Sequence, residues 1–241
     1  FLSFQIFKKL GFIMTKENLL TMEIAEKFLA DPGNVNLDEF TSIEDAAATV
    51  LANYQNGLYL VGLTSLSDKT AETLALHNHD LYLNGLTSLS DKALEALAKH
   101  AKHQGRILSL NGLTSLSDKA LEALAKHQGN LYLAGLTSLS SKAAEALAKH
   151  QGNLLLNGVK TLNDKVAEAL AKHQGSCLSL AGLTSLSDKT AEALAKHQGR
   201  LLCLNGLTSL SDKTAETLAK FKGILYLIGP AEAKVNKYRK P

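Results

Sequence analysis

The sequence predicts an α/β solenoid of nine turns, with a parallel sheet along its concave face and helices along its convex face. Three observations carry that prediction. One unit of about 23 residues recurs along most of the chain, apolar spacing within each unit changes from alternation to helical periodicity, and one unit is too small to fold alone.

Glycines that close an LxLxG segment stand at Gly62, Gly85, Gly112, Gly135, Gly158, Gly182, Gly206 and Gly229, at spacings of 23, 27, 23, 23, 24, 24 and 23 residues. One more turn lies upstream in altered form. Val35, Leu37, Phe40 and Ile43 fall 23 residues before Leu58, Leu60, Leu63 and Leu66, with Glu39 where a glycine is expected. Terminal repeats of solenoids are commonly atypical.

Residues 81–105 show the pattern of one unit. Leu81 and Leu83 alternate with Asp80, Tyr82 and Asn84, which is a short strand with one face inward. Leu86 and Leu89 then turn inward, Asp91 is the expected helix N-cap, and Leu94, Leu97 and Ala98 recur at helical spacing. The glycine of each HQG segment is expected to end the helix in a left-handed conformation. Burying the few aliphatic side chains of one unit does not offset the ordering of its backbone, at about 1–2 kcal/mol per residue. The units must therefore stack. This unit also carries an additional AKH, reading LAKHAKHQG, which predicts a helix longer by one turn and a bulge on the convex side.

The ends differ from the repeats. Residues 1–13 (FLSFQIFKKLGFI) hold four of the seven phenylalanines and precede Met14, so they read as a non-native or leader segment. The apolar run after Lys8 and Lys9 is short for a signal peptide. Residues 14–34 form an N-terminal capping segment, with a helix over 17–31, and the solenoid spans 35–229. Residues 230–241 read as a polar, basic tail in which Pro230 stops the ladder and leaves the last leucine layer poorly covered.

This pattern resembles leucine-rich repeats, and specifically the cysteine-containing class with the template LxLxxCxxITDxxLxxLA. Leu81, Leu83, Leu86, Leu89, Ser90, Asp91, Leu94, Leu97 and Ala98 fall on that template, with Leu86 in place of the cysteine. The similarity covers residues 35–229, and the LTSLSDKAAEALAKHQG wording is also similar to bacterial leucine-rich arrays. It implies a horseshoe or arc that binds proteins. No F-box or ubiquitin-ligase module accompanies it, so a ubiquitin-linked role is not implied.

Composition narrows the function classes. The net charge is +3 with cations and carboxylates interspersed, which predicts no nucleic-acid partner. No apolar run reaches the roughly 18 residues of a membrane span. The chain reads as soluble and cytoplasmic, with secretion the alternative if a leader preceded it. Cys177 and Cys203 fall on adjacent strands offset by two residues, too far apart for a disulfide, and read as free thiols.

Several repeated columns invite a chemical reading, and most have a structural one. His77, His100, His127, His150, His173 and His197 share one helix position with Tyr54 and Phe221, so the column selects a flat ring near a helix C-terminus, where a protonated imidazole also suits the dipole. A metal-binding ladder is the lesser alternative. Asp45, Asp68, Asp91, Asp118, Asp164, Asp188 and Asp212, with Ser141 once, read as N-caps rather than calcium ligands. Glu95–Lys99, Glu122–Lys126, Glu145–Lys149, Glu168–Lys172, Glu192–Lys196 and Glu216–Lys220 are spaced for i,i+4 pairs within helices. The repeated Thr-Ser pairs give no serine a distinct base, so no nucleophile and no catalytic residue stands out.

The concave sheet face remains. Its middle column reads Asn36, Tyr59, Tyr82, Ser109, Tyr132, Leu155, Ser179, Cys203 and Tyr226, and the next reads Asp38, Val61, Asn84, Asn111, Ala134, Asn157, Ala181, Asn205 and Ile228. Tyr59, Tyr82, Asn84, Asn111, Tyr132, Asn157, Asn205 and Tyr226 are the candidate binding residues, because tyrosine with asparagine suits protein recognition. The other reading is that tyrosine is simply a strand former. The expected function is a non-catalytic module binding a protein or peptide, without cofactor or metal. The alternative is a structural protein that associates end to end through its C-terminal turn.

Overall fold

The computed structural model describes residues 18–100 and 106–239. Eight successive units within them each form a short strand followed by a helix. The strands are β3 (Leu58–Tyr59), β4 (Leu81–Tyr82), β5 (Ile107–Ser109), β6 (Asn130–Tyr132), β7 (Leu154–Leu155), β8 (Cys177–Ser179), β9 (Leu201–Cys203) and β10 (Ile224–Tyr226). They form one parallel sheet in strict chain order, each pairing with the next turn in register, as in Tyr59 beside Tyr82. Helices α3 (Asp68–Leu74), α4 (Asp91–Leu97), α5 (Asp118–Leu124), α6 (Ser141–Leu147), α7 (Asp164–Leu170), α8 (Asp188–Leu194), α9 (Asp212–Ala219) and α10 (Gly229–Asn236) alternate with them. The fold is the expected α/β solenoid. Leu81, Leu83, Leu86, Leu94 and Leu97 are all buried, and their counterparts continue one core through the stack.

Glycine sets how close the turns approach. A β-carbon on Gly135 would collide with the carbonyl oxygen of Asn111 and lie 2.6 Å from that of Leu113, both in the preceding turn. Gly62, Gly85, Gly112 and Gly206 meet the same pair of carbonyls one turn back. The HQG glycines serve a related purpose. A side chain on Gly129, Gly152 or Gly175 would run into the backbone of the preceding turn and into the histidine two residues before it. None of these glycines takes the left-handed conformation expected from the sequence; among the described glycines only Gly229 has a positive φ, +61°. The helices end instead at a right-handed cap such as Ala98, followed by tight bonds from Lys99 N to Ala96 O (3.0 Å) and His100 N to Leu97 O (2.9 Å).

The capping chemistry is shifted by one residue from the sequence reading. Ser67, Ser90, Ser117, Ser140, Ser187 and Ser211 are the N-caps, and Asn163 caps the turn between Ser140 and Ser187. Each side-chain oxygen accepts the amide three residues on, as Ser90 Oγ does from Ala93 N at 2.9 Å. The aspartates that follow are first helical residues, and their carboxylates reach across to the next turn. Ser90 Oγ donates to Asp68 (2.5 Å), Ser117 to Asp91 (2.8 Å), Ser140 to Asp118 (2.6 Å) and Ser187 to Asp164 (3.0 Å). This ladder is interrupted once, where Ser141 replaces the carboxylate, and there the next cap is Asn163, which has no hydroxyl to donate.

Most ion pairs of the repeats also run between turns rather than along helices. Lys119 meets Glu95 at 3.0 Å and Lys142 meets Glu122 at 2.9 Å. The predicted partner Lys99 lies beyond the C-cap Ala98, outside helical geometry, and the same holds in the other seven-residue helices. Only α9, one residue longer, brings Glu216 and Lys220 together, at 3.5 Å. The AKH insertion does not lengthen α4, which ends at Leu97 like its neighbours; the bulge expected there falls on 101–105, outside the described residues. Asp80 ties the far side of the insertion back, accepting Ile107 N at 2.9 Å.

Both ends depart from expectation. In the first turn the predicted strand around Leu37 is a short 3-10 helix, Leu37–Glu39, where Asn36 Oδ1 accepts Asp38 N. Among the described residues no strand pairs with this segment from the preceding side, and Glu39 stands at the glycine position. Helix α2 (Asp45–Leu51) completes that turn. Before it, β1 (Leu19–Leu20) pairs in parallel with β2 (Ser42–Ile43), and α1 (Met22–Ala30) starts at the N-cap Thr21. Leu20, Ile43 and Leu66 are 23 residues apart, as are Ala25, Ala48 and Ala71, so the capping helix is itself the helical half of another unit. The basic tail folds too. Pro230 opens α10 instead of ending the structure, Ala231 and Val235 are buried, Lys234 Nζ donates to Leu210 O (2.9 Å), and Tyr238 donates to Asp212 (3.0 Å). Leu225 and Leu227 are thereby covered.

Gly135→Ala is expected to lower unfolding free energy by about 2–4 kcal/mol in urea denaturation, because backbone must move to admit the methyl group. Gly229→Ala, which meets only a left-handed backbone and open space, is expected to cost about 1–2 kcal/mol. Ser90→Ala is expected to cost about 1 kcal/mol and Asp91→Ala less, the reverse of the order for an aspartate cap.

Candidate binding surface and the buried histidine column

Alternation along each strand separates the buried leucines from an outward sheet face, and strict register stacks the outward residues into columns. Tyr59 and Tyr82 occupy paired positions on β3 and β4, and their rings stack face to face, 4.4 Å between centroids and 4° from parallel. Tyr59 remains 54% exposed. Ser109 pairs with Tyr82 on one side and Tyr132 on the other, and it is fully buried although it faces outward. The tyrosines therefore roof over the short side chain between them. Burial is the main cause that pushes the Tyr82 phenol up to about 12, with the Asp80 carboxylate adding to it. At the other end of the column Tyr226 is 52% exposed, flanked by exposed Ile224 on the same strand and by exposed Ile228 just beyond it.

The candidate asparagines are mostly occupied within the fold. Asn84 Oδ1 accepts Ser109 Oγ at 2.6 Å and Asn111 N at 3.3 Å. Asn111 accepts Ala134 N at 2.8 Å, and Asn157 accepts Ser179 Oγ at 2.6 Å and Ala181 N at 3.2 Å. Each satisfies an amide in the next turn, which a strand ending beside a turn would otherwise leave unpaired. Asn205 makes no such bond, since the next residue in its column, Ile228, is the N-cap of α10 and diverges from the ladder. The structure thus places all eight predicted residues on one face, but leaves Tyr59 and Tyr226 as its most exposed rings.

Cys177 and Cys203 share that outward face. Cys177 pairs with Leu201 and Ser179 with Cys203, so the offset of two residues is as expected and both thiols are free. A hydrogen bond from the Cys177 thiol is the first cause that holds Cys203 down to about 7, and the same contact pushes Cys177 up.

Behind the helix ends runs the histidine column. All six imidazoles are at most 3% exposed and stack in sequence from His77 to His197 at centroid separations of 6.2, 5.8, 6.3, 6.1 and 5.8 Å. Phe221 closes the stack at 6.2 Å from His197. Some rings donate to a carbonyl of the preceding turn, His100 Nε2 to His79 O at 2.8 Å and His173 Nε2 to Gly152 O at 3.1 Å. Neither nitrogen of His127 or His150 has a partner in hydrogen-bond geometry; nearby backbone carbonyls only soften their shifts. Desolvation leads in every case and holds the rings neutral, His100 down to about 3 and His127 and His173 to about 4. A protonated imidazole serving the helix dipole, as read from the sequence, is therefore not what the column holds. Burial outweighs the dipole. Among the described residues no three of His, Cys, Asp and Glu converge as a metal site, and no helix is long and apolar enough to cross a membrane.

The outward residues that sequence reasoning missed are Ile224 and Asp80, both in the column preceding the tyrosines. Strand parity alone identifies them. Comparison with protein families and with curated proteins gives no match to this chain.

Acid should unfold the protein early. An imidazole with a depressed folded pKa leaves stability intact above the unfolded value near 6.5 and removes it as pH falls toward the folded value. At pH 5 the three rings at about 3 to 4 each remove about 2 kcal/mol, so the melting temperature is expected to fall steeply between pH 7 and 5. His127→Phe, which fits a column that already ends in Phe221, should reduce that slope and raise stability at pH 7 by about 1–3 kcal/mol.

Proposed function

We propose that this chain is a leucine-rich-repeat protein that binds an extended protein or peptide segment along its outward sheet face, and that it catalyses no reaction. The observation that carries the reading is the tyrosine column. Four of the six tyrosines in the chain, Tyr59, Tyr82, Tyr132 and Tyr226, stand in one column on one face, although aromatics are only 5% of the residues. Core positions take leucine and the helix faces take lysine and glutamate, so this column is where bulky, amphipathic side chains are concentrated. Tyrosine rings held by stacking lose little freedom on binding and present both an apolar face and a hydroxyl.

The repeat template supports the family assignment. Leucines at the strand, turn and helix positions of successive units are buried as that pattern requires. The non-catalytic reading rests on repetition: the Thr-Ser pairs recur in unit after unit with the same surroundings, which gives no hydroxyl a base of its own. The asparagine ladder already satisfies the backbone beside the strands, so the ligand's contacts fall on the tyrosines and on Asp80 and Ile107 beside them.

Panning a random peptide display library on the immobilised full chain tests this. Selected peptides should lose at least about tenfold in affinity for the Tyr59→Ala/Tyr82→Ala variant, whose circular dichroism should match the parent. Leu76→Ser, on the helical side and 70% exposed, should bind them unchanged. Equal binding by parent and double-alanine protein removes the tyrosine face as the site.

A further inference from the structure

The two ends of the solenoid carry opposite charge. Residues 18–56 hold seven carboxylates and one cation, Lys27, whereas residues 213–239 hold six cations and two carboxylates. Between them, residues 57–212 are close to balance, with fifteen cations and thirteen carboxylates. Glu26, Asp38 and Glu39 are exposed at the first end, and Lys220, Lys222 and Lys237 at the last. The grooves between neighbouring helices show the same change. Two grooves between earlier turns, about 610 and 680 Å³, each set three lysines against two glutamates, as with Lys149, Lys165 and Lys172 against Glu145 and Glu168. The last groove, about 960 Å³, is lined by Lys196, Arg200, Lys213, Lys220 and Lys222 against two glutamates, Glu192 and Glu216.

Exposed apolar side chains follow the charge to the ends. Of seven large apolar residues exposed among those described, Leu19 and Met22 lie in the capping unit at the first end, Ile224 and Tyr226 on the last strand and Ile228 just after it. Strand order is strictly sequential, so β3 and β10 stand seven inter-strand steps apart, about 34 Å. One molecule's ends cannot reach each other. At the first end, moreover, a 3-10 helix stands where the next strand would be, so the eight-stranded sheet stops at β3 and does not run on to that end.

We propose that copies of this chain associate head to tail, the acidic first turn of one molecule docking side chain to side chain on the basic last turn of another. The contact has an apolar centre at Ile224 and Ile228 of the last turn with Leu19 and Met22 of the capping unit at the first end, inside a rim of opposite charges. Because the two surfaces differ, the association does not close on itself as a twofold dimer does; it propagates into open chains. Ile224 and Ile228 flank Tyr226, so the contact borders the last residue of the tyrosine column; the charge reversals below leave Tyr59 and Tyr82 in place and therefore test it separately from the tyrosine face.

Light scattering and sedimentation velocity of the full chain across a concentration series provide the test. At low salt the weight-average mass should rise at least about twofold above the monomer and continue to climb, and high salt should reduce it. Glu26→Lys/Asp38→Lys/Glu39→Lys and Lys220→Glu/Lys222→Glu/Lys237→Glu should each stay monomeric, with melting temperatures showing that both fold. Mixing the two variants should restore association, since each then offers the charge the other has lost. A strictly monomeric parent at every salt and concentration overturns the proposal. So does association that survives either reversal, or a mixture that stays monomeric. Residues 1–17 add three lysines and one glutamate ahead of the acidic turn, so the full chain, not a trimmed one, is measured.

Discussion

Successive turns lie so close that a single methyl group has no room between them beside the strand ends, and the rest of the structure depends on that spacing. Carbonyls of one turn press on the glycine of the next at Gly85, Gly112 and Gly135. With the backbones fixed at this distance, a two- or three-residue strand is enough to hold a register. The same spacing lets a serine hydroxyl reach the aspartate of the previous helix and an asparagine oxygen reach the amide of the next turn. A wider pitch would leave those groups solvated and each unit on its own.

The contacts between turns are of three kinds, and they differ in what they demand. The aspartate–serine ladder lies near solvent and joins polar groups that water would otherwise satisfy, so each rung adds little energy but specifies alignment, whereas the asparagine ladder pairs part-buried groups that would otherwise lack a partner. The leucine layers supply the non-directional part of the stability. Histidine is the costly member. A buried imidazole that lacks a partner, as at His127 and His150, is stable only while it is neutral and stacked between flat neighbours. The column makes dense packing possible at the helix ends and at the same time ties the fold to neutral pH.

Much of this was legible in the sequence because repetition converts a weak local pattern into a strong one. The strand leucines, the helix leucines, the outward tyrosines and the flat-ring column all follow from spacing alone. What failed were choices between adjacent positions or between partners at equal distance. Serine and aspartate are both good caps, and only the backbone shows that Ser90 caps while Asp91 bridges. Glu95 has Lys99 four residues on and Lys119 one turn on, and the shortness of α4 decides for the latter. The asparagines looked available because their partners lie 22 to 27 residues away. The charge difference between the ends was present in the sequence but hidden by the small net charge, which sums two opposite ends to near zero.

The single gap in the aspartate–serine ladder shows how such a chain can change length. The two exceptional residues, Ser141 and Asn163, stand at the first and last positions of one 23-residue block. Excision of residues 141–163 would bring Asp164 directly after Ser140, and the ladder would run without a break. The exception therefore lies within one module, and the joint its removal would create has the serine–aspartate rung found elsewhere in the stack, while the Asn157 rung to Ser179 and Ala181 would go with it. Length in this protein is quantised: it can gain or lose whole turns while each surviving interface keeps the partners it had.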